Sequence, residues 1–241
     1  MKLIQKQQWN IEEEKKIILN NKPSFLLGWM RKRIYNQNGN VLGYFDGRQG
    51  TGKSYSCLAL CEAMDFTFSV KRVCFSVQEV FEIMENIPKG AFVMLEEAGV
   101  AVHNLSFWSP ENKSFNALLQ TFRDKNLGLL MTAPNNRMID SQTKSLMYLH
   151  FTCMPFGMNR DKGINKVRLV QIIPVPNRKD PLEPYFTRWN TKTHSVEQLR
   201  YITIHKPTDF LIGQYEMKRK AYRNSLDKKM LAKLRAVQIK E

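Results

Sequence analysis

The feature that most constrains this 241-residue chain is the glycine-rich segment from Gly47 to Ser54. It reads Gly-Arg-Gln-Gly-Thr-Gly-Lys-Ser and matches the pattern G-x-x-x-x-G-K-[ST] at every fixed position. An apolar run at 41–45 leads into it, and a helix-favouring run at 55–64 follows it. A glycine-rich turn between a strand and a helix is typical of a loop that wraps phosphate groups. The sequence therefore predicts an α/β fold with a phosphate loop after an early strand.

The residue types in this segment suit the binding of a triphosphate. Its glycines allow tight turns that aim backbone N–H groups at phosphate oxygens. The helix that follows begins with a partial positive charge, Lys53 adds a full charge for the β- and γ-phosphates, and the Ser54 hydroxyl suits Mg²⁺. We therefore predict that ATP and Mg²⁺ bind here. The predicted nucleotide-binding residues are Gly47, Arg48, Gln49, Gly50, Thr51, Gly52, Lys53, Ser54 and Tyr55.

A second constrained segment is the apolar run from Ala91 to Leu95, which ends in two adjacent acids, Glu96 and Glu97. In open α/β sheets, ligands lie at the carboxyl edge of the strands. Residue alternation places the two acids on different sides of the strand, so Glu96 is predicted to serve Mg²⁺ and Glu97 to polarise the attacking water. The usual pattern is Asp followed by Glu, which leaves open whether Glu96 contacts the metal directly or through a water. The alternative is a pair of solvated acids at a strand end.

Short apolar runs alternate with amphipathic stretches through the middle of the chain. The apolar runs predict strands at 41–46, 71–76, 91–95, 127–132 and 148–154. The stretches between them predict helices at 53–64, 77–86, 113–124 and 137–147. Strands that alternate with helices imply βαβ crossovers, and therefore a mainly parallel sheet with helices on both faces.

The chain outside this sheet is organised by prolines and charge. A turn-like segment at 159–163 predicts a β-hairpin, and a proline-rich stretch follows it. A long helix is predicted from Thr208 or Asp209, with Leu211 and Tyr215 on its apolar stripe and basic residues on its other faces. We expect four parts: an N-terminal extension at 1–37, a P-loop ATPase core at 38–155, a hairpin and proline-rich extension at 156–207, and a basic C-terminal helix at 208–241.

Positive charge is concentrated at the two ends of the chain, whose net charge is +15. Residues 211–241 carry nine basic and three acidic side chains, and residues 1–40 carry eight and three. Such a field attracts polyanions, of which nucleic acid is the commonest, although a solubilising surface has the same composition. The predicted DNA contacts are Lys218, Arg219, Lys220 and Arg223.

Cysteine spacing and hydropathy indicate the compartment. The four cysteines have no metal-type spacing, and we predict that they are thiols of the core. The longest apolar runs are strand-sized and fall short of the roughly 20 residues that cross a bilayer. Residues 1–14 are polar and do not resemble a secretory signal. We therefore expect a cytoplasmic protein without a transmembrane segment, located in the host cytoplasm if a virus or plasmid encodes it.

The order of these segments resembles that of known ATPases. One further strand, Arg72 to Ser76, separates the phosphate-loop strand from the acidic strand along the chain, as in the additional-strand division of P-loop ATPases with its RecA-like motors. In that division the next strand ends in a polar residue that senses the γ-phosphate. Thr132 occupies this position, where a plain strand-end threonine is equally expected.

A closer resemblance is to the HerA/FtsK group of DNA-pumping ATPases, especially compact archaeal and viral members and the zonula-occludens-toxin-like phage proteins. It covers about 40–225. The strings that carry it are Gly47 to Ser54, Met94 to Gly99, Leu119 to Leu127, Met131 to Pro134, Ile139-Asp140 and Tyr215 to Arg219.

This resemblance implies a ring of identical subunits, commonly a hexamer, with ATP at the subunit interfaces and DNA in the pore. Hydrolysis at an interface calls for an arginine from the neighbouring subunit. Arg123 is the first choice for this role and Arg137 the second. The segment 102–112, which contains Trp108, is predicted to be a loop that lines the pore or packs against a neighbour, and a buried tryptophan is the alternative.

Three functions remain in view. The first is an ATP-hydrolysing motor that translocates or packages DNA, which explains the phosphate loop, the two carboxylates and the basic ends. The second is an assembly or secretion ATPase that acts on protein, a class that usually carries a membrane-spanning segment. The third is a nucleotide-gated nucleic-acid-binding module without turnover. Glu97 counts against the third, because such a switch has no need of a residue that orients water.

Overall fold

The computed structural model describes residues 24–96, 115, 119–178, 180–190 and 193–238. Its strands are β1 (Val41–Asp46), β2 (Val73–Cys74), β3 (Phe92–Leu95), β4 (Gly128–Ala133), β5 (Leu149–Asn159), β6 (Ile164–Gln171), β7 (Phe186–Asn190), β8 (Ser195–Leu199) and β9 (Tyr201–His205). Its α-helices are α1 (Ser24–Arg31), α2 (Lys53–Met64), α3 (Val77–Met84), α4 (Ser141–Leu146) and α5 (Asp209–Gln238), and residues 119–124 are also helical. Within these residues no helix has both the length and the apolar character that a membrane span requires.

Seven strands form one sheet in the order β2-β3-β4-β1-β5-β6-β9. Strands β2, β3, β4, β1 and β5 pair in parallel, and β6 and β9 extend the sheet in antiparallel fashion. Strand β4 is inserted between β1 and β3, because Gly128 pairs with Val41 on one side and with Phe92 on the other. This mostly parallel arrangement is that of a RecA-like P-loop core. The predicted fold class is confirmed.

The central strands are buried on both faces, which accounts for their continuous apolar sequences. Every residue of β3 and β4 is buried, as expected for parallel strands between two layers of helices. Alternate residues enter opposite cores: Phe92 and Met94 pack with α1 and α2, whereas Val93 and Leu95 pack with α3 and the helical residues 119–122. The two cores fix the carboxyl ends of β1, β3 and β4 side by side at one edge of the sheet.

The N-terminal part of the described chain packs directly on this sheet. Leu26 and Met30 of α1 are fully buried in the same core as α2. Helix α1 changes character after Arg31, since residues Lys32–Asn36 form a π-helical turn. The guanidinium of Arg33 lies 3.7 Å from the centre of the Tyr148 ring. Residues 1–23 of the predicted N-terminal extension lie outside the described residues.

The chain after β5 is more regular than its sequence indicates. The predicted hairpin is present as β5 and β6 around a turn at 160–163. The proline-rich stretch after it leads into the two-stranded ribbon β7–β8 and then into strand β9 at the sheet edge. The sequence did not predict these strands. These strands are five residues long, and β8 and β9 have exposed residues, so they lack the apolar runs that reveal buried strands. All four cysteines are buried free thiols.

Helix α5 docks along α2 in the opposite direction. Near its start, the Thr208 hydroxyl donates to Glu62 over 2.6 Å. Two turns later, the Tyr55 hydroxyl donates to Glu216 over 3.2 Å. Further along, Tyr222 stacks on Phe75 with 4.4 Å between ring centres. The first half of α5 therefore runs from the carboxyl end of α2 towards its amino end, which is the end that follows the phosphate loop.

Candidate functional site

The phosphate loop connects β1 to α2 and depends on its glycines. Gly47, Gly50 and Gly52 have φ angles of 144°, 81° and 80°, which side chains disfavour. A Cβ atom at Gly47 would lie 2.5 Å from the carbonyl oxygen of Cys153, so a side chain there would also collide with β5. The glycine spacing of the sequence motif thus has a backbone cause at each position.

The amino end of helix α2 is suited to bind an anion. No side chain caps its amino end, where Gly52 is the residue before the first turn. The first N–H groups of an uncapped helix carry partial positive charge and need acceptors, which phosphate oxygens supply. The Lys53 ammonium donates to the carbonyl of Arg48 over 2.9 Å and so lies across the loop. The Thr51 hydroxyl donates to the same carbonyl over 2.8 Å.

Asn165 of strand β6 fixes the phosphate loop from the hairpin side. Its Nδ2 donates to the Thr51 carbonyl and to the Ser56 hydroxyl, each over 2.9 Å. Its buried Oδ1 has no hydrogen-bond partner among the described residues. The sequence does not reveal this role of Asn165, because its hydrogen bonds span 114 and 109 positions of the chain.

Glu96 stands at the carboxyl end of β3 and is only 2% exposed. Its Oε1 accepts hydrogen bonds from the Ser54 hydroxyl over 2.6 Å and from the Tyr215 hydroxyl over 2.9 Å. Its Oε2 accepts one from the Thr132 hydroxyl over 3.1 Å. Burial raises the pKa of Glu96, while these hydroxyls and the positive charge of Arg219 act in the opposite direction. The result is a buried carboxylate held by three hydroxyl donors.

The oxygen atoms around Glu96 suit magnesium better than a softer metal. The Ser54 hydroxyl and the Glu96 carboxylate offer oxygen atoms, which Mg²⁺ prefers. No group of three or more His, Cys, Asp or Glu residues that could hold a metal occurs in the described part of the chain. A cation here would therefore take its remaining ligands from phosphates and water, as magnesium does in nucleotide sites.

These groups line one cavity of about 660 Å³ at the carboxyl edge of the sheet. That volume lies in the range of small-molecule sites. Its walls are the phosphate loop, the ends of β3 and β4, the β5–β6 hairpin, the end of β9 and helix α5. Five basic and two acidic side chains line it, a balance that favours a highly charged anion.

The structure brings together several residues that the sequence nominated. Lys53, Ser54, Glu96 and Thr132 all line the cavity. Glu97 and the loop with Trp108 lie outside the described residues. Of the two acids that the sequence predicts to serve Mg²⁺ and the attacking water, Glu96 is therefore the one whose position is described.

The two candidate trans-acting arginines lie at opposite edges of the sheet. Arg123 is exposed in the helical segment before β4, close to the amino end of that strand. Arg137 is exposed in the 3₁₀ turn Asn136–Met138, just after the carboxyl end of β4. Only Arg137 therefore shares an edge with the phosphate loop.

The basic residues predicted to contact DNA point in different directions from α5. Lys218 donates to the carbonyls of Val73 and Val70, over 2.5 and 3.3 Å. Lys220 is exposed. Arg219 and Arg223 line the cavity with the phosphate loop.

The role of α5 in the site does not follow from the predictions made for it. Tyr215 was expected on an apolar stripe and Arg219 among DNA contacts, whereas Tyr215 contacts Glu96 and Arg219 lines the cavity. The available signal was spacing: Tyr215, Arg219 and Arg223 recur every four residues and so share one helix face.

A second polar cluster lies immediately before the phosphate loop. Buried His150 has its Nε2 2.9 Å from Asp46 Oδ1 and its Nδ1 3.1 Å from Glu183 Oε2. Burial opposes the charged imidazole, but hydrogen bonds to the two carboxylates outweigh it and raise the pKa of His150. The His150 ring also stacks on Tyr44 with 4.4 Å between centres. This cluster ties β1 to β5 and to the segment before β7.

Comparisons with known proteins give limited likeness. No protein-family model matches the sequence, and no curated protein matches it significantly. Among solved structures, it is similar to the N-terminal domain of zonular occludens toxin from Neisseria meningitidis, at 15% identity over 54% of this chain and 83% of that one, with a TM-score of 0.37. It is also similar to the genome packaging NTPase B204 from Sulfolobus turreted icosahedral virus 2, at 12% identity over 72% and 99%, with a TM-score of 0.36. EssC (ATPases 2 and 3) from Geobacillus thermodenitrificans aligns at 12% identity over 78% and 45%, with a TM-score of 0.35.

Proposed function

We propose that the chain binds and hydrolyses ATP with Mg²⁺ and uses the energy to move DNA. One observation carries the nucleotide part of this proposal. Ser54 of the phosphate loop and Glu96 of the acidic strand are 42 positions apart, yet their side chains are joined by a 2.6 Å hydrogen bond inside one cavity. This pairing of a phosphate-loop hydroxyl with a buried carboxylate supports a magnesium–triphosphate site.

The residues of the chain divide the work of binding. The N–H groups at the start of α2 and the Lys53 ammonium hold the phosphates. Ser54 and Glu96 would hold Mg²⁺, which when bound neutralises charge on the phosphate oxygens. Thr132 donates to the second oxygen of Glu96 and so keeps that carboxylate oriented. To contact a terminal phosphate, the Thr132 hydroxyl would exchange its hydrogen bond to Glu96 for one to a phosphate oxygen.

The sequence assigns the water-orienting step to Glu97, and we retain that assignment as part of the proposal. Phosphoryl transfer requires positioned cations and an oriented nucleophile rather than covalent chemistry by the protein. A carboxylate that follows Glu96 on the strand would accept a hydrogen bond from a water in line with the γ-phosphate.

The motor part of the proposal is a ring of identical subunits that acts on DNA. The net charge of +15 supports a polyanionic partner. Two exposed arginines are candidates to reach a neighbour's nucleotide. Arg123 is the first choice from the sequence, and the position of Arg137 at the sheet edge of the phosphate loop supports it as the second.

The test is ATP turnover of the full chain, with and without single- and double-stranded DNA, together with the mass of the oligomer in solution. We expect turnover that DNA stimulates and a mass of several subunits. Lys53→Ala should abolish nucleotide binding, whereas Lys71→Ala, an exposed lysine away from the cavity, should not. Turnover indifferent to DNA would favour a protein substrate, and binding without turnover would leave a nucleotide-gated module.

A further inference from the structure

We propose that Arg219 of helix α5 contacts the terminal phosphate of the nucleotide bound to its own subunit, an inference that rests on the proposed ATP-binding function. The role is distinct from that of an arginine supplied by a neighbouring subunit. It also differs from the DNA contact that the sequence suggests for this residue.

The docking of α5 places Arg219 at the phosphate end of the cavity. One turn before it, the Tyr215 hydroxyl donates to Glu96 Oε1 over 2.9 Å. The same Glu96 oxygen accepts from Ser54 over 2.6 Å. Residues four apart share a helix face, so Arg219 lies on the α5 face that meets the proposed magnesium ligands.

Among the described residues, little of the hydrogen-bonding capacity of the Arg219 side chain is used. Its guanidinium carbon lies 5.8 Å from the centre of the Tyr215 ring, which orients the side chain. Its nearest carboxylate is Glu216 Oε1 at 3.7 Å, a long contact with an acid that is 45% exposed. Its Nε is buried without a hydrogen-bond partner among the described residues. A buried donor of this kind calls for an acceptor.

A terminal phosphate is the ligand that meets this need. Arginine presents a planar fork of donors that matches phosphate oxygens and binds them through two parallel hydrogen bonds. The cavity that Arg219 lines also contains Lys53, proposed to hold the β- and γ-phosphates, Thr132, proposed to contact the terminal phosphate, and Ser54, a proposed magnesium ligand. The loss of the γ-phosphate on hydrolysis would remove the Arg219 partner, so the ATP state would have one contact between α5 and the nucleotide that the ADP state lacks.

The experiment compares the affinities of ATPγS and ADP for the full chain and three variants, Arg219→Ala, Arg219→Lys and Lys71→Ala. Lys71 is an exposed basic residue that does not line this cavity. We expect Arg219→Ala to weaken ATPγS binding about tenfold to a hundredfold and to change ADP affinity little. Arg219→Lys should recover only part of this loss, because lysine lacks the fork, and Lys71→Ala should bind both nucleotides as the wild type does.

Each other outcome overturns the inference. Equal losses for ATPγS and ADP would mean that Arg219 acts on the fold or on another part of the nucleotide. If Arg219→Ala binds ATPγS and ADP as the wild type does but binds DNA more weakly, Arg219 contacts nucleic acid instead. A wild type that binds neither nucleotide would defeat the proposed function itself, which separates that failure from a failure of Arg219 alone.

Discussion

The Tyr215 hydroxyl donates a hydrogen bond to Glu96 Oε1 over 2.9 Å, although 119 positions separate the two residues. Glu96 belongs to the acidic strand end and Tyr215 to the C-terminal helix. This hydrogen bond joins the proposed magnesium ligand to the element with the most basic sequence of the chain. Glu96 therefore links the proposed nucleotide site to the position of α5.

Removal of this hydroxyl should change the acidity of Glu96. In Tyr215→Phe the ring packing remains, but one donor that lowers the pKa of the buried carboxyl is absent. Since burial already raises that pKa, we expect the acid limb of the ATPase pH profile to move to higher pH. The measurement is kcat/KM for ATP as a function of pH.

Tyr222→Phe is the matched control, since the Tyr222 hydroxyl donates to the Phe75 carbonyl rather than to Glu96. Its acid limb should coincide with that of the wild type. An unshifted profile in Tyr215→Phe would show that the hydroxyl does not influence the carboxylate in the working enzyme.

Replacement of Glu97 should separate binding from hydrolysis. Glu97→Gln retains the size of the side chain but cannot accept a proton or hold a water with the same strength. We expect ATP affinity close to that of the wild type and turnover reduced by on the order of 100-fold or more. Equilibrium binding and steady-state turnover measured on the same preparation check this, and wild-type turnover in the variant would remove Glu97 from the mechanism.

The His150 cluster should make stability depend on pH with a defined sign. The pKa of His150 is raised in the folded state from 6.5, so its contribution is fully present below that value and is lost as the pH rises through the folded pKa. The pKa of Glu183 is lowered from 4.5 and that of Asp46 from 3.8 in the folded state, so their contributions are lost as the pH falls through their folded pKa values. The cluster therefore stabilises the fold most between these ranges.

Urea denaturation of wild type and His150→Gln at about pH 6 and about pH 9 measures this effect. We expect the wild type to exceed the variant at pH 6 by on the order of 1 kcal/mol or more, and to lose part of that advantage at pH 9. An advantage that is the same or larger at pH 9 would contradict a charged His150.

In the proposed motor, the exposed face of α5 is the surface of this helix that would contact DNA. Lys220 and Lys228 are both exposed, whereas Lys218 is held by backbone carbonyls. We expect Lys220→Ala with Lys228→Ala to weaken DNA binding and to reduce the slope of log affinity against log salt by about 0.9 for each phosphate that is no longer neutralised. Lys89→Ala, at the amino edge of β3, is the control and should retain the wild-type slope. A wild-type slope in the double variant would place the DNA elsewhere.

The sheet could be predicted because its signals are local. Strand β1 and helix α2 have the predicted bounds of 41–46 and 53–64, since an apolar run and a glycine-rich loop define them within a few residues. Ser54 and Glu96 could be paired in advance because parallel strands end at one edge. Strand β9 was not predicted because it is a five-residue edge strand without an apolar run. Only its alternate residues Ile202 and Ile204 are buried.

The rest of the site depends on how distant elements dock. Arg219 and Lys218 are adjacent in a basic run, yet one lines the cavity and the other donates to the carbonyls of Val73 in β2 and Val70 before it. Their spacing puts them on different helix faces but does not tell which face meets the cavity. The difference arises from the angle at which α5 lies along α2, which the hydrogen bonds of Thr208 and Glu216 set.

The most direct test of the account is the magnesium dependence of ATP turnover in Glu96→Gln. Glu82→Gln, a change of the same kind at an exposed residue of α3, is the control. If Glu96 and Ser54 hold the metal of a bound triphosphate, the magnesium concentration for half-maximal turnover should rise by about tenfold or more in Glu96→Gln and stay at the wild-type value in Glu82→Gln. Identical magnesium curves for wild type and Glu96→Gln would contradict the site described here.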